Sequence, residues 1–223
     1  MLASKSLMAV AKFPLRAYRN LKFRRKALKL KEETALNIAR IARQQQVFLE
    51  IGAGNKKGSN GWTTLDHGDG ANICWDLRNG IPFPDESIDK IYTSHTFEHI
   101  PFPALELLIQ DCCRSLKPQG SLYVCVPNAR LYINAYINGA SFIKDKTICF
   151  QPGLCNTDSS IDQVNYTAYM GGEHCYMFDE ENLVKILQQN GFNQVKLRDF
   201  DPEIDLAERD YESIYALATK HTG

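Results

Sequence analysis

The sequence predicts an α/β fold in which a mostly parallel sheet carries helices on both faces. Short apolar runs with β-favouring residues recur along the chain, as in VFLEI at 47–51, and have the length of buried parallel strands. A glycine turn with Gly52 and Gly54 follows this first run directly. Glycines at that place let the chain turn sharply and let a ligand approach the backbone, so the first strand is expected to end at a binding site.

The second strand is predicted at 62–65 and ends in a carboxylate, Asp66. A carboxylate there is the usual acceptor for the hydroxyl protons of a ribose. Dinucleotide-binding proteins need a third glycine in G-x-G-x-x-G, but Lys57 stands at that position. The eleven residues between Gly54 and Asp66 are too few for a full helix plus a strand of ~5–6 residues. The first crossover is therefore predicted to be abbreviated, which favours a cofactor without a pyrophosphate and disfavours a nicotinamide-dependent oxidoreductase.

Apolar periodicity and helix breakers predict the other elements. A helix from Glu32 to Gln46 is expected to lead into the first strand. Pro118 and Gly120 end a helix, and acidic residues open the one that Gly191 ends. After the second strand we predict strands at 72–77 and 89–94, a helix that begins at HTFEHI (95–100), a second helix at 105–116, a strand at 121–126, a helix at 179–189, and closing strands at 193–200 and 213–219.

One long stretch of the chain carries a family resemblance. The run LEIGAG…GWTTLDHG…ICWDLRNGIPFPDESIDKIYTSHTFEHI…SLKPQGSLYVCVPN resembles the class I S-adenosylmethionine-dependent methyltransferases. More narrowly, it resembles the small members with a shortened first helix that are often associated with cell-surface polysaccharide synthesis. The resemblance implies a doubly wound, Rossmann-like sheet of seven mostly parallel strands whose last strand is antiparallel. It also implies S-adenosylmethionine as the cofactor.

The same resemblance assigns roles to individual residues. It places Glu50, Gly52, Ala53 and Gly54 under the methionine part of the cofactor, Asp66 at the ribose, Asp76 and Leu77 beside the adenine, and Ser94 next to the reactive methyl. Each of these residues also has a purely structural interpretation, since glycines make tight turns and carboxylates cap helices. Their order along the chain favours the cofactor site.

Two histidines are candidates for catalysis. His95 is expected near the transferred methyl because it follows the fourth strand, and His174 is expected at the mouth of the site. An imidazole with a pKa near ~6.5 suits removal of a proton from a hydroxyl, although a lone histidine is more often structural. The predicted reaction moves a methyl group to an oxygen or nitrogen of a small molecule or of a surface glycan. A cofactor-binding module without turnover is the alternative.

The run His95-x-x-Glu98-His99 has the spacing of an inverted zinc-protease motif. On a helix, residues four apart share a face and both reach one metal ion. That interpretation needs a further ligand, and a helix entered directly from a parallel strand is an unusual setting for it. The sequence-based expectation is therefore that the site holds no metal.

The charge is divided unevenly along the chain. Residues 1–31 carry ten basic residues and no acidic one, whereas all 26 acidic residues lie in 32–223. This basic N-terminal arm has the pattern of an amphipathic helix that could touch anionic lipid, although a solvated arm, or a helix folded on the acidic body, is the favoured interpretation. A nucleic-acid partner is not favoured. Residues 32–223 are predicted to form one methyltransferase domain with an insertion at about 129–175, where no period is clear.

The cysteines indicate a reducing compartment. The seven cysteines are odd in number and include no C-x-x-C pair. Reduced thiols of this kind suit a cytoplasmic protein, which the basic arm could bring to a membrane surface.

Overall fold

A computed structural model describes residues 32–140, 157 and 159–221. The chain divides after Ile41 into two units, and the described part of the first is helix α1, residues 32–41. This helix is shorter than the predicted 32–46. The predicted basic arm at 1–31 lies outside the described residues.

The second unit is built on one sheet of seven strands in the order β3-β2-β1-β4-β5-β7-β6. The strands are β1 (Phe48–Ile51), β2 (Trp62–Asp66), β3 (Ile73–Cys74), β4 (Ile88–Ser94), β5 (Leu116–Pro127), β6 (Gln194–Arg198) and β7 (Ser213–Thr219). Neighbours from β3 to β5 are parallel, whereas β7 runs antiparallel to both β5 and β6. The predicted seven-stranded sheet with an antiparallel last strand is therefore confirmed.

Four helices accompany this sheet among the described residues of the second unit: α2 (Phe102–Ser115), α3 (Ala129–Ile137), α4 (Ile161–Tyr169) and α5 (Glu180–Gln189). Apolar side chains of α2 at helical spacing are fully buried, for example Leu105, Leu108 and Cys112. Helix α5 begins with a capping box in which Asp179 accepts from the backbone of Asn182. No helix within the described part of the chain is long and apolar enough to cross a membrane.

The abbreviated first crossover is confirmed. The fully described segment between β1 and β2 contains turns and no helix. Residues 52–61 alone return the chain to the start of β2, which pairs in parallel with β1 and places Trp62 beside Phe48.

The predicted helix beginning at 95–100 is wrong. The structure has only a 3-10 turn there, Phe97–His99, and α2 starts after Pro101. Proline disfavours the helical region for the residue before it, and Ile100 is accordingly extended, with φ −103° and ψ 125°. His95 lies outside the turn with φ +49°. The expectation that His95 and His99 share a helix face therefore fails.

Part of the weakly patterned region forms helices. Helices α3 and α4 pack together through the buried rings of Tyr132 and Tyr166, whose centroids are 5.9 Å apart. The intervening residues 141–156 and 158 lie outside the described residues. An insertion bounded at about 129–175 stays a prediction.

Candidate active site

The carboxyl ends of β1, β2 and β4 surround a cleft of about 650 Å³. Strand β1 lies between β2 and β4, so the strand order reverses beside it. Ligands of open α/β sheets bind at such a reversal, beyond the carboxyl ends of the strands. The predicted site residues that line the cleft are Gly52, Gly54, Asp66, Asp76, Leu77 and His95.

The glycine turn forms one wall of the cleft. Gly52 has φ +71°, and a Cβ on it would lie 2.0 Å from Thr96 Oγ1. Gly54 has φ +62°, and the space where its Cβ would lie is open. A side chain is excluded at Gly52 by conformation and contact, whereas at Gly54 the open space lets a ligand approach the backbone. Thr96 also lines the cleft, and no sequence signal marked it.

Asp66 is held in place by the backbone of the loops around it. Its Oδ2 accepts the Gly54 N–H at 2.9 Å, and its Oδ1 accepts the Gly68 N–H at 3.1 Å. Nδ1 of the exposed His67 lies 2.9 Å from Oδ1. The carboxylate thus fixes the glycine turn, and its position in the cleft fits the ribose role that the resemblance implies.

Asp76 and Leu77 lie just beyond β3, where a 3-10 turn begins. The Asp76 carboxylate accepts the Arg78 backbone N–H and pairs with the Arg78 guanidinium at 2.7 Å. Hydrogen bonding from the Arg78 side chain lowers the pKa of Asp76. Leu77 is buried and supplies an apolar surface in the same cleft. Arg78, which the sequence analysis did not select, is therefore the residue that orients Asp76.

Three predicted cofactor residues are not among those that line the cleft: Glu50, Ala53 and Ser94. Glu50 instead pairs with Lys56 at 2.6 Å and lines a separate cavity with Trp62 and Tyr92.

A second, smaller cavity adjoins the cofactor cleft. Its volume is about 110 Å³, and His95 and His99 line both spaces. We call it the acceptor cavity after the role proposed for it below. It is lined by His95, Glu98, His99, Pro127, Tyr166, Thr167, Met170, His174, Arg209 and Glu212. Both predicted catalytic histidines therefore lie in one place. Arg209 and Glu212 were missed, because they come from a distant loop without a motif.

The protonation of His95 follows from its partners. Its Nε2 lies 2.8 Å from Ser213 Oγ, and that hydroxyl donates its proton to the Arg209 carbonyl at 2.6 Å. Nε2 of His95 must therefore donate to Ser213, which leaves the lone pair of the neutral ring on Nδ1. The pKa of His95 lies well below its usual value, mainly because the ring is buried and secondly because the positive charge of Arg209 is near.

His99 and His174 have the opposite tautomer. Nδ1 of His99 lies 3.0 Å from the Glu173 carbonyl, and Nδ1 of His174 lies 2.9 Å from the Thr167 carbonyl. Because a carbonyl only accepts, each Nδ1 carries the proton and each Nε2 carries the lone pair. Burial lowers the pKa of both rings.

Glu98 is the most unusual residue of the acceptor cavity. It is 1% exposed, and neither carboxyl oxygen has a hydrogen-bond partner among the described residues. Its Oε1 lies 3.7 Å from His95 Nδ1 and 3.8 Å from His99 Nε2. Burial raises the pKa of Glu98 to about 8.

The sheet order defines a Rossmann-like fold, and the cleft lies at its switch point, where ligands of such sheets bind. Comparison with known families then identifies the class, because the methyltransferase domain family matches residues 22–197. The chain belongs to this family and is an S-adenosylmethionine-dependent methyltransferase. The cleft fits that cofactor, since it has the volume of ligand sites, ~300–1,000 Å³, and has open space above Gly54. The alternative of a nicotinamide-dependent oxidoreductase is thereby overturned.

Several solved structures are similar to the chain. A methyltransferase of Thermotoga maritima, described as a possible histamine N-methyltransferase, is 15% identical over 91% of this chain and 96% of that chain, with a TM-score of 0.48. A methyltransferase of Archaeoglobus fulgidus is 16% identical over 85% and 94%, with a TM-score of 0.46. Phosphoethanolamine N-methyltransferase 2 of Haemonchus contortus, in complex with S-adenosyl-L-methionine, is 14% identical over 85% and 53%, with a TM-score of 0.45. No curated protein sequence matches the chain. Identities this low carry no information on the acceptor.

Proposed function

We propose that the protein moves a methyl group from S-adenosylmethionine to an oxygen or nitrogen atom of a small molecule or glycan bound in the acceptor cavity. The observation that carries the proposal is the junction of the two spaces. His95 and His99 line both the cofactor cleft and the acceptor cavity, so a group in the cavity lies next to the cofactor. Methyl transfer needs this proximity above all, because the sulfonium already activates the methyl.

The lining of the acceptor cavity favours a polar acceptor. Arg209, Glu212 and three histidines present donors and acceptors to a volume of about 110 Å³. A space this small admits the reacting group of an acceptor rather than a large apolar body. Hydroxyl and amine groups match such a lining, because buried polar groups need partners. A sugar of a surface glycan is one such acceptor, and its choice rests on the family resemblance.

His95 is the first candidate for accepting the proton of the acceptor. Its Nε2 is occupied by Ser213, whereas Nδ1 keeps a lone pair within the cavity lining. His174 is the second candidate, through Nε2. Replacement of His95 by Gln is expected to lower kcat by about 100-fold or more. Because His95 also lines the cofactor cleft, titration with S-adenosylhomocysteine separates loss of the chemical step from loss of cofactor binding.

The first experiment is a calorimetric titration of the purified protein with S-adenosylhomocysteine, with NADH as the comparison ligand. We expect micromolar binding that Asp66→Ala abolishes and that Asp199→Ala, an exposed carboxylate on the far edge of the sheet, leaves unchanged. A preference for NADH, or equal binding by both variants, would contradict the assigned cofactor site.

A screen for the acceptor follows, with release of S-adenosylhomocysteine as the measurement. Amines, hydroxylated small molecules and oligosaccharides are offered separately with S-adenosylmethionine. Turnover of one class identifies the acceptor. Tight cofactor binding without turnover of any class would instead support the alternative that the protein is a cofactor-binding module without enzymatic activity.

We propose further that the protein acts in the cytoplasm and that its basic arm, residues 1–31, brings it to anionic membrane surfaces. The ten basic residues of the arm support the proposal, since each adds ~1 kcal/mol near an anionic surface. Sedimentation with vesicles tests it: binding should need anionic lipid and should fall when salt is raised. Equal sedimentation with neutral vesicles would refute it.

A further inference from the structure

Glu98, His99 and His174 converge in the acceptor cavity. One ligand atom from each residue lies within 4.8 Å of those of the other two. The rings of His99 and His174 meet edge to face, with centroids 4.8 Å apart. These three side chains, which we call the EHH cluster, come from the 3-10 turn after β4 and from the segment that follows α4.

When Glu98 is ionised, the EHH cluster contains acceptors and no donor. In both His99 and His174, Nδ1 donates its proton to a backbone carbonyl, so Nε2 carries a lone pair and no proton. An ionised Glu98 adds only acceptor oxygens, and neither has a hydrogen-bond partner among the described residues. A third lone pair, on His95 Nδ1, faces Glu98 Oε1 at 3.7 Å. Lone pairs that face one another in a buried place repel unless a proton or a cation lies between them.

A buried carboxyl group is stable when it keeps its proton, when it is paired, or when it coordinates a metal ion that takes the place of the proton. Arg209 lines the same cavity but makes no ion pair with Glu98 within the described part of the chain. Within the described residues, an ionised Glu98 therefore has no partner, and a metal ion that displaces its proton would supply one.

We infer that Glu98, His99 and His174 bind one divalent transition-metal ion, best matched by Zn²⁺. Two imidazoles and one carboxylate are a ligand set of catalytic zinc sites, which keep the fourth position for water or substrate. Four-coordinate Zn²⁺ with bonds of ~2.0–2.1 Å needs ligand atoms about 3.4 Å apart. The observed 3.8 Å from Glu98 Oε1 to His99 Nε2 is already close to this value. The other ligand atoms lie within 4.8 Å of one another and would have to move closer when the ion binds.

The surroundings of the cluster have the pattern of a metal site. Metal-ligating histidines almost always donate their other ring N–H to a carbonyl or carboxylate, which fixes the tautomer. Here the carbonyls of Glu173 and Thr167 accept these protons. The Cys175 N–H donates to the Glu98 carbonyl at 2.7 Å and joins the two segments that carry the ligands.

This inference departs from the sequence-based expectation of no metal. The spacing of His95 and His99 suggested the wrong pair, because the 95–100 segment is not a helix. The further ligand that the motif lacked is His174, 75 positions after His99. It reaches the cluster only through the fold.

The role of the ion rests on the proposed function. An acceptor hydroxyl that occupied the fourth position would lose its proton more readily, as metal-bound water does. The proton passes to a base and then to solvent, the oxygen forms a bond to the methyl carbon, and the carbon–sulfur bond breaks to release S-adenosylhomocysteine. Metal binding itself is tested without any turnover.

The test uses the full chain, stripped of metal with a chelator and kept reduced. Co²⁺ and then Zn²⁺ are titrated, with the visible spectrum of Co²⁺ and calorimetry as measurements. We expect one ion per chain, and an affinity that falls by more than ~100-fold in His174→Ala and in Glu98→Gln, beyond the ~10–100-fold typical of outer-shell partners. His221→Ala is the matched control: this exposed histidine follows β7, at the opposite end of the sheet from the cluster, and should bind as the wild type.

Two further measurements keep the outcome decisive. Thermal unfolding and titration with S-adenosylhomocysteine show that each variant is folded and keeps its cofactor site, so loss of the metal site and failure of the methyltransferase site are distinguishable. Cys175→Ser tests the exposed thiol next to His174. Absence of stoichiometric binding by the wild type, binding that survives His174→Ala, or a thiolate-to-cobalt band that Cys175→Ser removes would each overturn the inference.

Discussion

Replacement of Gly52 by Ala tests the geometry of the glycine turn most directly. A Cβ at this position would lie 2.0 Å from Thr96 Oγ1 and 2.3 Å from Thr96 Cγ2, and the backbone has φ +71°. Left-handed backbone costs a residue with a Cβ about 1–2 kcal/mol. Overpacking adds about 1–3 kcal/mol. We therefore expect Gly52→Ala to lower the free energy of unfolding by about 2–5 kcal/mol and to weaken S-adenosylhomocysteine binding, since Thr96 also lines the cofactor cleft.

Two other glycines are matched controls for this prediction. Gly54 (φ +62°) and Gly139 (φ +63°) have the same backbone conformation, and nothing lies within 4 Å of a Cβ on either. Replacement of either glycine by Ala should lower the free energy of unfolding only by the cost of the left-handed backbone, about 1–2 kcal/mol. Gly54→Ala should also weaken S-adenosylhomocysteine binding, because its Cβ would enter the cleft, whereas Gly139→Ala should not. Urea unfolding and calorimetry supply both quantities, and equal effects of Gly52→Ala and Gly139→Ala would refute the reasoning.

Three further predictions concern charge and thiols. Arg198 forms an ion pair with Asp205, whose side chain is 0% exposed. Arg198→Met should therefore lower the free energy of unfolding, measured with urea, by about 3–5 kcal/mol. Arg198→Lys should not restore the contact, because an ammonium group cannot bind both carboxylate oxygens as the guanidinium does. In the native protein iodoacetamide should label the exposed Cys74 and Cys175, and S-adenosylhomocysteine should protect only Cys175, which lines the cleft; equal protection of both thiols would contradict the assignment. Burial raises the pKa of Cys112 above its ordinary 9.0, so above pH 9.0 the unfolded chain loses a proton that the native chain keeps, and the free energy of unfolding should fall with rising pH. A decline just as steep in Cys112→Ala would show that other groups cause it.

Much of the fold was predictable because its signals are local. The closing strand was expected at 213–219 and lies there, because a short run of mostly apolar residues at consecutive positions is a local signal for a strand. Helix α5 was predictable from its acidic first turn and Gly191. The segment at 95–100 was not predicted correctly. Its composition favours a helix, but Pro101 keeps Ile100 extended and His95 has a left-handed backbone, so only a 3-10 turn forms.

The cofactor site was also largely predictable. Gly52, Gly54 and Asp66 lie at the ends of two adjacent parallel strands, and parallel strands deliver their carboxyl ends to the same edge of a sheet. The position of the Glu50 side chain was not predictable in this way. A motif places it near the cofactor, but its side chain pairs with Lys56 outside the cleft, and only the packing of the loop decides that.

The sequence by itself therefore determined the order of the strands, the glycine turn at the candidate cofactor site and, through the family resemblance, the class of enzyme, because each of these depends on residues that are close along the chain. The tertiary structure alone decided what surrounds the acceptor. His95, Glu98 and His99 meet His174, Arg209 and Glu212 only because α4 and the loop before β7 fold over the ends of β4 and β5. No local pattern records that meeting, since proximity across 75 or more positions is a property of the packed chain and not of its segments.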